Sequence, residues 1–205
     1  MKLIGLTGGI AAGKSAVAAM LQRLGAKIID ADELAREIVE PGQEAWREII
    51  AAFGGEIIRQ DQSIDREKLR KKVFEDEQAR KRLESITHPR IRTLAQQKIQ
   101  QLAREGAEII VYVVPLLFEN RLHLWLRPVI LVACDPAIQK ERLQKRDKLN
   151  EREIKRHLEA QMGLEEKKKL ADFIVENDGS LEELEKKVRE VWEKITKQAI
   201  GNRQQ

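Results

Sequence analysis

At 205 residues the chain has room for one α/β domain with inserted subdomains, and too little length for two large independent ones. Hydrophobic residues make up 42% and charged residues 35%, with 5 Pro and 12 Gly, which excludes a disordered chain, and no apolar run approaches the roughly 18 residues of a membrane span. The net charge of +4 suits anionic partners and is concentrated in two stretches, with 12 Lys/Arg against 5 Asp/Glu between Arg66 and Arg104 and 11 against 7 between Lys140 and Lys169.

Leu3 to Thr7 is an apolar run ending in Gly8-Gly9, and Ala16 to Leu24 has helical spacing, so a buried strand, a turn and a helix open the chain. Gly25 stops that helix, Lys27 to Asp30 reads as a second strand, and a helix from about Glu33 is broken by Pro41-Gly42. A charged, mostly helical section follows from Glu44 to about Arg104, with interruptions predicted at Gly54-Gly55 and at His88-Pro89. Glu108 to Val114 is the most apolar strand-like run in the chain, as expected of a central parallel strand buried on both faces, and Pro115 ends it. Val129 to Ala133 is a similar strand, followed by Asp135-Pro136 as N-cap and first-turn residue of a helix. Phe173 to Glu176 reads as a last strand, Asn177-Asp178-Gly179 as a turn, and Ser180 with Glu183 as a capping box for a final helix. That helix carries Leu181, Leu184, Val188, Val191 and Ile195 on one face, and its tail from Gly201 to Gln205 is expected to fray. Strands alternating with helices predict an α/β fold with a parallel sheet covered on both sides. The single cysteine, Cys134, adjoins an apolar run and is expected to be a buried structural thiol.

The chemistry begins at Gly8, Gly13, Lys14 and Ser15, which fill the pattern G-x-x-x-x-G-K-[ST] between the first strand and the first helix. Glycines let successive backbone N–H groups turn toward a phosphate, the helix N-terminus adds its dipole, Lys14 reaches the β and γ phosphates, and the Ser15 hydroxyl ligates magnesium. Such a match arises by chance in about one chain in a hundred of this length. ATP and Mg2+ are the expected ligands. No N-K-x-D tetrad for guanine is present, and the strand ending at Val114 carries no terminal acid, so a small-molecule kinase is expected in preference to a GTPase or a motor ATPase. Asp30 and Asp32 follow the second strand, at the sheet edge where open α/β folds bind ligands. Either could accept a proton from an attacking hydroxyl or help hold magnesium through water, and either could simply cap the next helix.

The motifs beyond the phosphate loop extend the pattern. L-T-G-G-I-A-A-G-K-S at 6–15, I-D-A-D-E-L-A-R at 29–36, V-E-P-G at 39–42 and T-H-P at 87–89 are followed by V-P-L-L-F-E at 114–119, R-L-Q-K-R-D at 142–147 and A-D-F-I-V-E-N-D-G-S at 171–180. In this order and spacing the chain resembles the dephospho-coenzyme A kinases over nearly its whole length. The resemblance implies a P-loop kinase fold that transfers the γ-phosphoryl group of ATP to the ribose 3′-hydroxyl of dephospho-coenzyme A, the last step of coenzyme A synthesis. It implies a nucleotide-binding core formed by 1–32, 105–138 and 170–205, a helical acceptor-binding insertion at 33–104, and a lid at 139–169.

By the same resemblance Asp32 is the general base, with Lys14 and Arg142 as further catalytic residues. Gly8, Gly9, Ala11, Ala12, Gly13, Lys14, Ser15 and Ala16 are expected to hold the nucleotide, together with Arg146 and Asn177. The acceptor is expected against Asp32, Arg36, His88, Leu116 and Phe118, with His88 binding rather than reacting. Glu119 is open to two readings, orienting the site or capping a turn. In the lid, Arg142 and Arg146 share a helix face and grip phosphate, whereas Arg152 and Arg156 form surface pairs with neighbouring acids. Two departures from the family pattern stand out: Ala11, Ala12 and Ala16 replace a Gly, a Ser and a Thr of the usual loop, and Val113 stands where an aspartate is frequent. No membrane or nucleic-acid partner is expected, since the basic stretches lack interleaved aromatics, and the location implied is cytoplasmic. Two rivals remain at this point, another nucleoside or nucleotide kinase and a basic RNA-binding protein that uses ATP as a switch. The oligomeric state is not legible.

Overall fold

A computed structural model describes residues 1–74, 76–148 and 150–201, the side chains of 198–201 excepted. The strands are β1 (Lys2–Gly8), β2 (Lys27–Asp30), β3 (Ile109–Val113), β4 (Val129–Ala133) and β5 (Phe173–Glu176). The helices are α1 (Lys14–Arg23), α2 (Ala31–Glu37), α3 (Glu44–Phe53), α4 (Arg66–Phe74), α5 (Glu77–Arg104), α6 (Pro136–Asp147), α7 (Glu151–Glu159), α8 (Leu164–Leu170) and α9 (Leu181–Gly201). The five strands form one sheet in the order β2-β3-β1-β4-β5, with β1 parallel to β3 and β4, and β4 parallel to β5. Every residue of β3 and β4 is buried, as continuous apolar runs in a parallel sheet require.

The chain divides into two compact units, one formed by 1–28 and 102–205 and the other by 29–101. In the first, Ile4, Leu6, Val111, Val113, Ile130, Val132 and Val175 face Val17 and Leu21 of α1 and Leu184, Val188, Val191 and Ile195 of α9. Leu181 does not join this face; at the first position of α9 it is 67% exposed, beyond the edge of the core. On the opposite face of β1, Gly5 leaves room for Leu117 and Leu126, since a Cβ there would lie 2.8 Å from Leu117 Cδ1. The second unit has its own core of Ile38, Ala45, Ile49, Phe53, Ile57, Ile64, Leu69 and Ile86. No helix among the described residues is long and apolar enough to cross a membrane.

Local signals hold at most boundaries. Asp135 caps α6 by accepting from the Ala137 amide, with Pro136 as first helical residue, and Ser180 and Glu183 make the reciprocal capping box of α9. One signal fails. His88-Pro89 does not interrupt the helix, and α5 runs through it for 28 residues. Pro89 removes one ladder hydrogen bond, but Ile86, Leu83, Ile91 and Leu94 pack into the second core on both sides of it, and Arg90 Nη1 donates to the Ile86 carbonyl at 2.8 Å. Tertiary burial outweighs the local cost. The predicted frayed tail falls, beyond Gly201, outside the described residues.

Candidate active site

β1 is the strand from which the connections diverge, toward β2 past β3 and toward β4 and β5 on its other side. The loop leaving its C-terminal end therefore opens at the switch point of the sheet. Thr7 Oγ1 ties the end of β1 to the Pro115 carbonyl at 3.1 Å. Gly8 packs flat on β4, where a Cβ would lie 2.5 Å from the Val132 carbonyl oxygen. Gly13 is in the left-handed region at φ +98°, where a side chain would also overlap the Asn177 amide, so glycine is required there twice over. Lys14 folds its ammonium back onto the loop, donating to the carbonyls of Gly8 at 2.9 Å and Gly9 at 3.0 Å. Ser15 is exposed at the second position of α1, and Ala16 lies one residue further along that helix. Ala11 takes φ +56° without being glycine, and Ala12 is buried beneath the loop.

Asn177 and Arg142 are brought to this loop. The Asn177 Nδ2 donates to the Ala12 carbonyl at 2.8 Å, and its own carbonyl accepts from Arg142 Nη2 at 3.0 Å. Buried Asn177 thus tethers the loop from the end of β5. Arg142 Nη1 lies 3.4 Å from Cys134 Sγ and stands beside Gly13. Burial pushes the Cys134 thiol up to about 11 despite that nearby guanidinium, as suits a structural thiol. Arg146, one turn further along α6, is largely exposed and held bidentately by its neighbour Asp147. The two arginines are not brought together. In the segment beyond, Arg152 and Arg156 are exposed, and the ion pairs described there are made by lysines, Lys140 with Glu151 and Lys155 with Glu159.

Glu119 does orient structure. Its Oε1 accepts from the Met162 amide at 3.0 Å and lies 2.8 Å from the ammonium of Lys167, which is almost wholly buried; Oε2 is buried without a hydrogen-bond partner. Burial alone would push the Glu119 carboxyl up, but the Lys167 ammonium and the backbone amides outweigh it and hold it below the usual carboxylate range. Of the apolar residues before it, Leu116 is 40% exposed while Leu117 and Phe118 are buried, the Phe118 ring meeting His123 edge-on at 5.5 Å. Leu116 is therefore open to solvent, whereas Phe118 is held in the core.

The remaining predicted residues belong to the second unit. Asp30 caps α2 by accepting from the Asp32 amide at 2.7 Å, so the helix begins at Ala31 and Asp32 already lies inside it. Asp30 takes the capping role, and Asp32 sits exposed in the first turn of α2, with exposed Arg36 one turn on. His88 is exposed in the middle of α5. A cleft of about 440 Å³ in this unit runs past Gln43, Pro89, Arg90, Thr93 and Gln97. Another of about 430 Å³ in the first unit, lined by Asp135, Glu165, Glu176 and Asp178 among others, contains no phosphate-loop residue.

Two residues at the loop were not foreseen. Gln139 Nε2 donates to the Ile10 carbonyl at 2.9 Å, and Gln161 Oε1 accepts from the Ile10 amide at 3.1 Å. Gln139 carried a faint signal, three positions before Arg142 and so on the same helix face. Gln161 carried none, lying in the turn between α7 and α8.

The family model for dephospho-CoA kinase matches residues 2–183. The curated dephospho-CoA kinase of Geobacter sulfurreducens is 47% identical over 194 residues, covering 95% of this chain and 98% of that one. The enzyme of the same name from Listeria monocytogenes is 40% identical over 196 residues, covering 96% and 98%. Among solved structures, dephospho-CoA kinase from Campylobacter jejuni is similar with a TM-score of 0.72 at 32% identity, covering 95% of this chain and 96% of that one. Shikimate kinase from Acinetobacter baumannii, at 16% identity and a TM-score of 0.51 over 97% and 93% of the two chains, shares the fold alone.

Proposed function

The chain belongs to the dephospho-CoA kinase family, and from that membership we propose that it transfers the γ-phosphoryl group of ATP to the ribose 3′-hydroxyl of dephospho-CoA. ATP-dependent phosphorylation of dephospho-CoA is the activity of the family. The observation that carries the reading to this chain's own residues is the phosphate loop, with its left-handed Gly13, its inward-turned Lys14 and its tether to Asn177.

In this proposal the loop amides and Lys14 hold the β and γ phosphates, Lys14 exchanging its two carbonyl partners for phosphate oxygens. Ser15 would hold a magnesium ion together with phosphate oxygens and water; its hydroxyl is exposed at the helix N-terminus, and no cluster of acids or imidazoles that could hold a metal is present among the described residues. The ion would supply neutralisation of charge on the phosphates. Arg142, beside Gly13, adds positive charge where the transferred group passes, and Arg146 joins it by releasing Asp147. Asp32 takes the proton of the attacking hydroxyl, and the transfer runs in line without a covalent enzyme intermediate. The second unit, with Arg36 and with His88 inside the +7 stretch from Arg66 to Arg104, takes the acceptor and its pyrophosphate, and 139–169 acts as a lid. The reaction is cytoplasmic in this reading.

The test is phosphorylation by magnesium-ATP of dephospho-CoA beside AMP, CMP, adenosine and pantothenate. Only dephospho-CoA should turn over, and Asp32→Asn should lose about 10²–10⁴-fold in kcat while ATP affinity is kept. Turnover of another acceptor, or an Asp32→Asn enzyme of full rate, overturns the assignment or the role of Asp32 respectively.

A further inference from the structure

Residue 10 of the phosphate loop is gripped on both sides of its backbone. Its carbonyl accepts from Gln139, near the start of α6, and its amide donates to Gln161, in the turn after α7. The partners come from 129 and 151 residues away, so neither bond belongs to the turn's own secondary structure. The packing is close. A Cβ at Gly9 would overlap the Gln139 amide and lie 3.8 Å from Gln161 Oε1. Gln139 is itself 8% exposed. The Gln161 end is anchored, because the next residue, Met162, donates its amide to Glu119, which is in turn held by buried Lys167.

We propose that Gln139 and Gln161 form a clasp that presets the phosphate loop for ATP, making both of them positioning residues. The inference rests on the reading that this loop holds the phosphates of ATP. A loop whose amides must converge on a phosphate pays an ordering cost on binding unless that cost has been met in folding. Within the loop the Ala12 amide is held by the Gly9 carbonyl at 3.2 Å, whereas the tip at Ile10 is fixed from outside, by the two glutamines. An amide side chain suits the task, since one glutamine uses its N–H and the other its carbonyl oxygen, and neither brings a negative charge near the phosphates.

Removing one such bond costs ground-state binding without touching the groups that stabilise the transferring phosphoryl. Gln161→Met and Gln139→Met keep volume and remove the hydrogen bond. Each should raise KM for ATP about three- to tenfold, as loss of one hydrogen bond does, with kcat and KM for dephospho-CoA within about twofold of wild type. The double variant should fall well short of the product of the two single effects, because both bonds hold one residue, Ile10, through its two adjacent peptide groups. Steady-state kinetics on full-length folded protein, with melting temperatures alongside, read all of this. An unchanged KM for ATP in both single variants overturns the clasp, as does a multiplicative double variant or a rise in KM for the acceptor equal to that for ATP. Failure of one variant to fold leaves the other to decide. Loss of ATP binding in Lys14→Ala, measured beside them, tests the underlying reading separately: if Lys14→Ala binds ATP normally, the loop is not the phosphate site and that reading fails first.

Discussion

Ala11 holds a left-handed backbone at φ +56°, in a loop where the family pattern usually has glycine. An L-residue there costs about 1–2 kcal/mol, and a glycine would return about 0.5–1 kcal/mol of this through its freer unfolded chain. Ala11→Gly should therefore stabilise the protein by about 0.5–1 kcal/mol and raise Tm by a few degrees, read by thermal unfolding. A lower Tm would show that the loop relaxes the strain. Gly13 differs, being both left-handed and walled by Asn177. The motif made Gly8, Gly13, Lys14 and Ser15 legible because their spacing encodes a local turn. The strain at Ala11 was not legible, since a missing glycine says only that something differs, and the contacts of Gln161 with Ile10 span 151 positions that no window brings together.

At the scale of elements, sequence signals succeeded where they were local and failed where packing overrode them. The caps of α6 and α9 are short-range hydrogen bonds and appeared where their residues predicted. Pro89 was read as a break, yet α5 passes through it because its apolar residues are buried on either side. The turn before α8 is a further such case. Lys167 reads as one more lysine in an exposed helix, but it is buried against Glu119, whose carboxylate also fixes Met162. Lys167→Met removes the only charge described against Glu119 and should destabilise the protein by about 3 kcal/mol in urea unfolding at neutral pH. Adding Glu119→Gln should recover more than half, because the uncompensated charge goes with it. The pH dependence has a definite sign. The folded pKa of Glu119 is below its unfolded value of about 4.3. Its contribution is therefore full above that value and fades as pH falls through the folded pKa. Wild type and Glu119→Gln should differ by a constant amount from pH 5 to 8 and converge in acid. A constant gap down to the lowest pH would mean that the carboxylate charge contributes nothing.

The whole molecule offers two cores in two units, and only one carries the phosphate loop. Alternating strands and helices made the α/β class legible, whereas the order β2-β3-β1-β4-β5 depends on pairings between distant strands that periodicity does not carry. If the loop binds ATP only when folded, ATP must stabilise the unit that contains it. At one hundred times its Kd the gain is about 2.7 kcal/mol, enough to move Tm several degrees in a chain of this length. Hydrogen exchange should place the new protection at the amides of residues 8–16 and not in the core built around Ile49 and Ile86, because a ligand slows local opening first where it adds bonds. Lys14→Ala should lose both the shift and the protection, and its melting temperature without ATP, measured alongside, reads separately what the bonds to the Gly8 and Gly9 carbonyls contribute to the fold. ATP-dependent protection confined to 29–101, with none at residues 8–16, would move the nucleotide away from the loop and take the proposed mechanism with it.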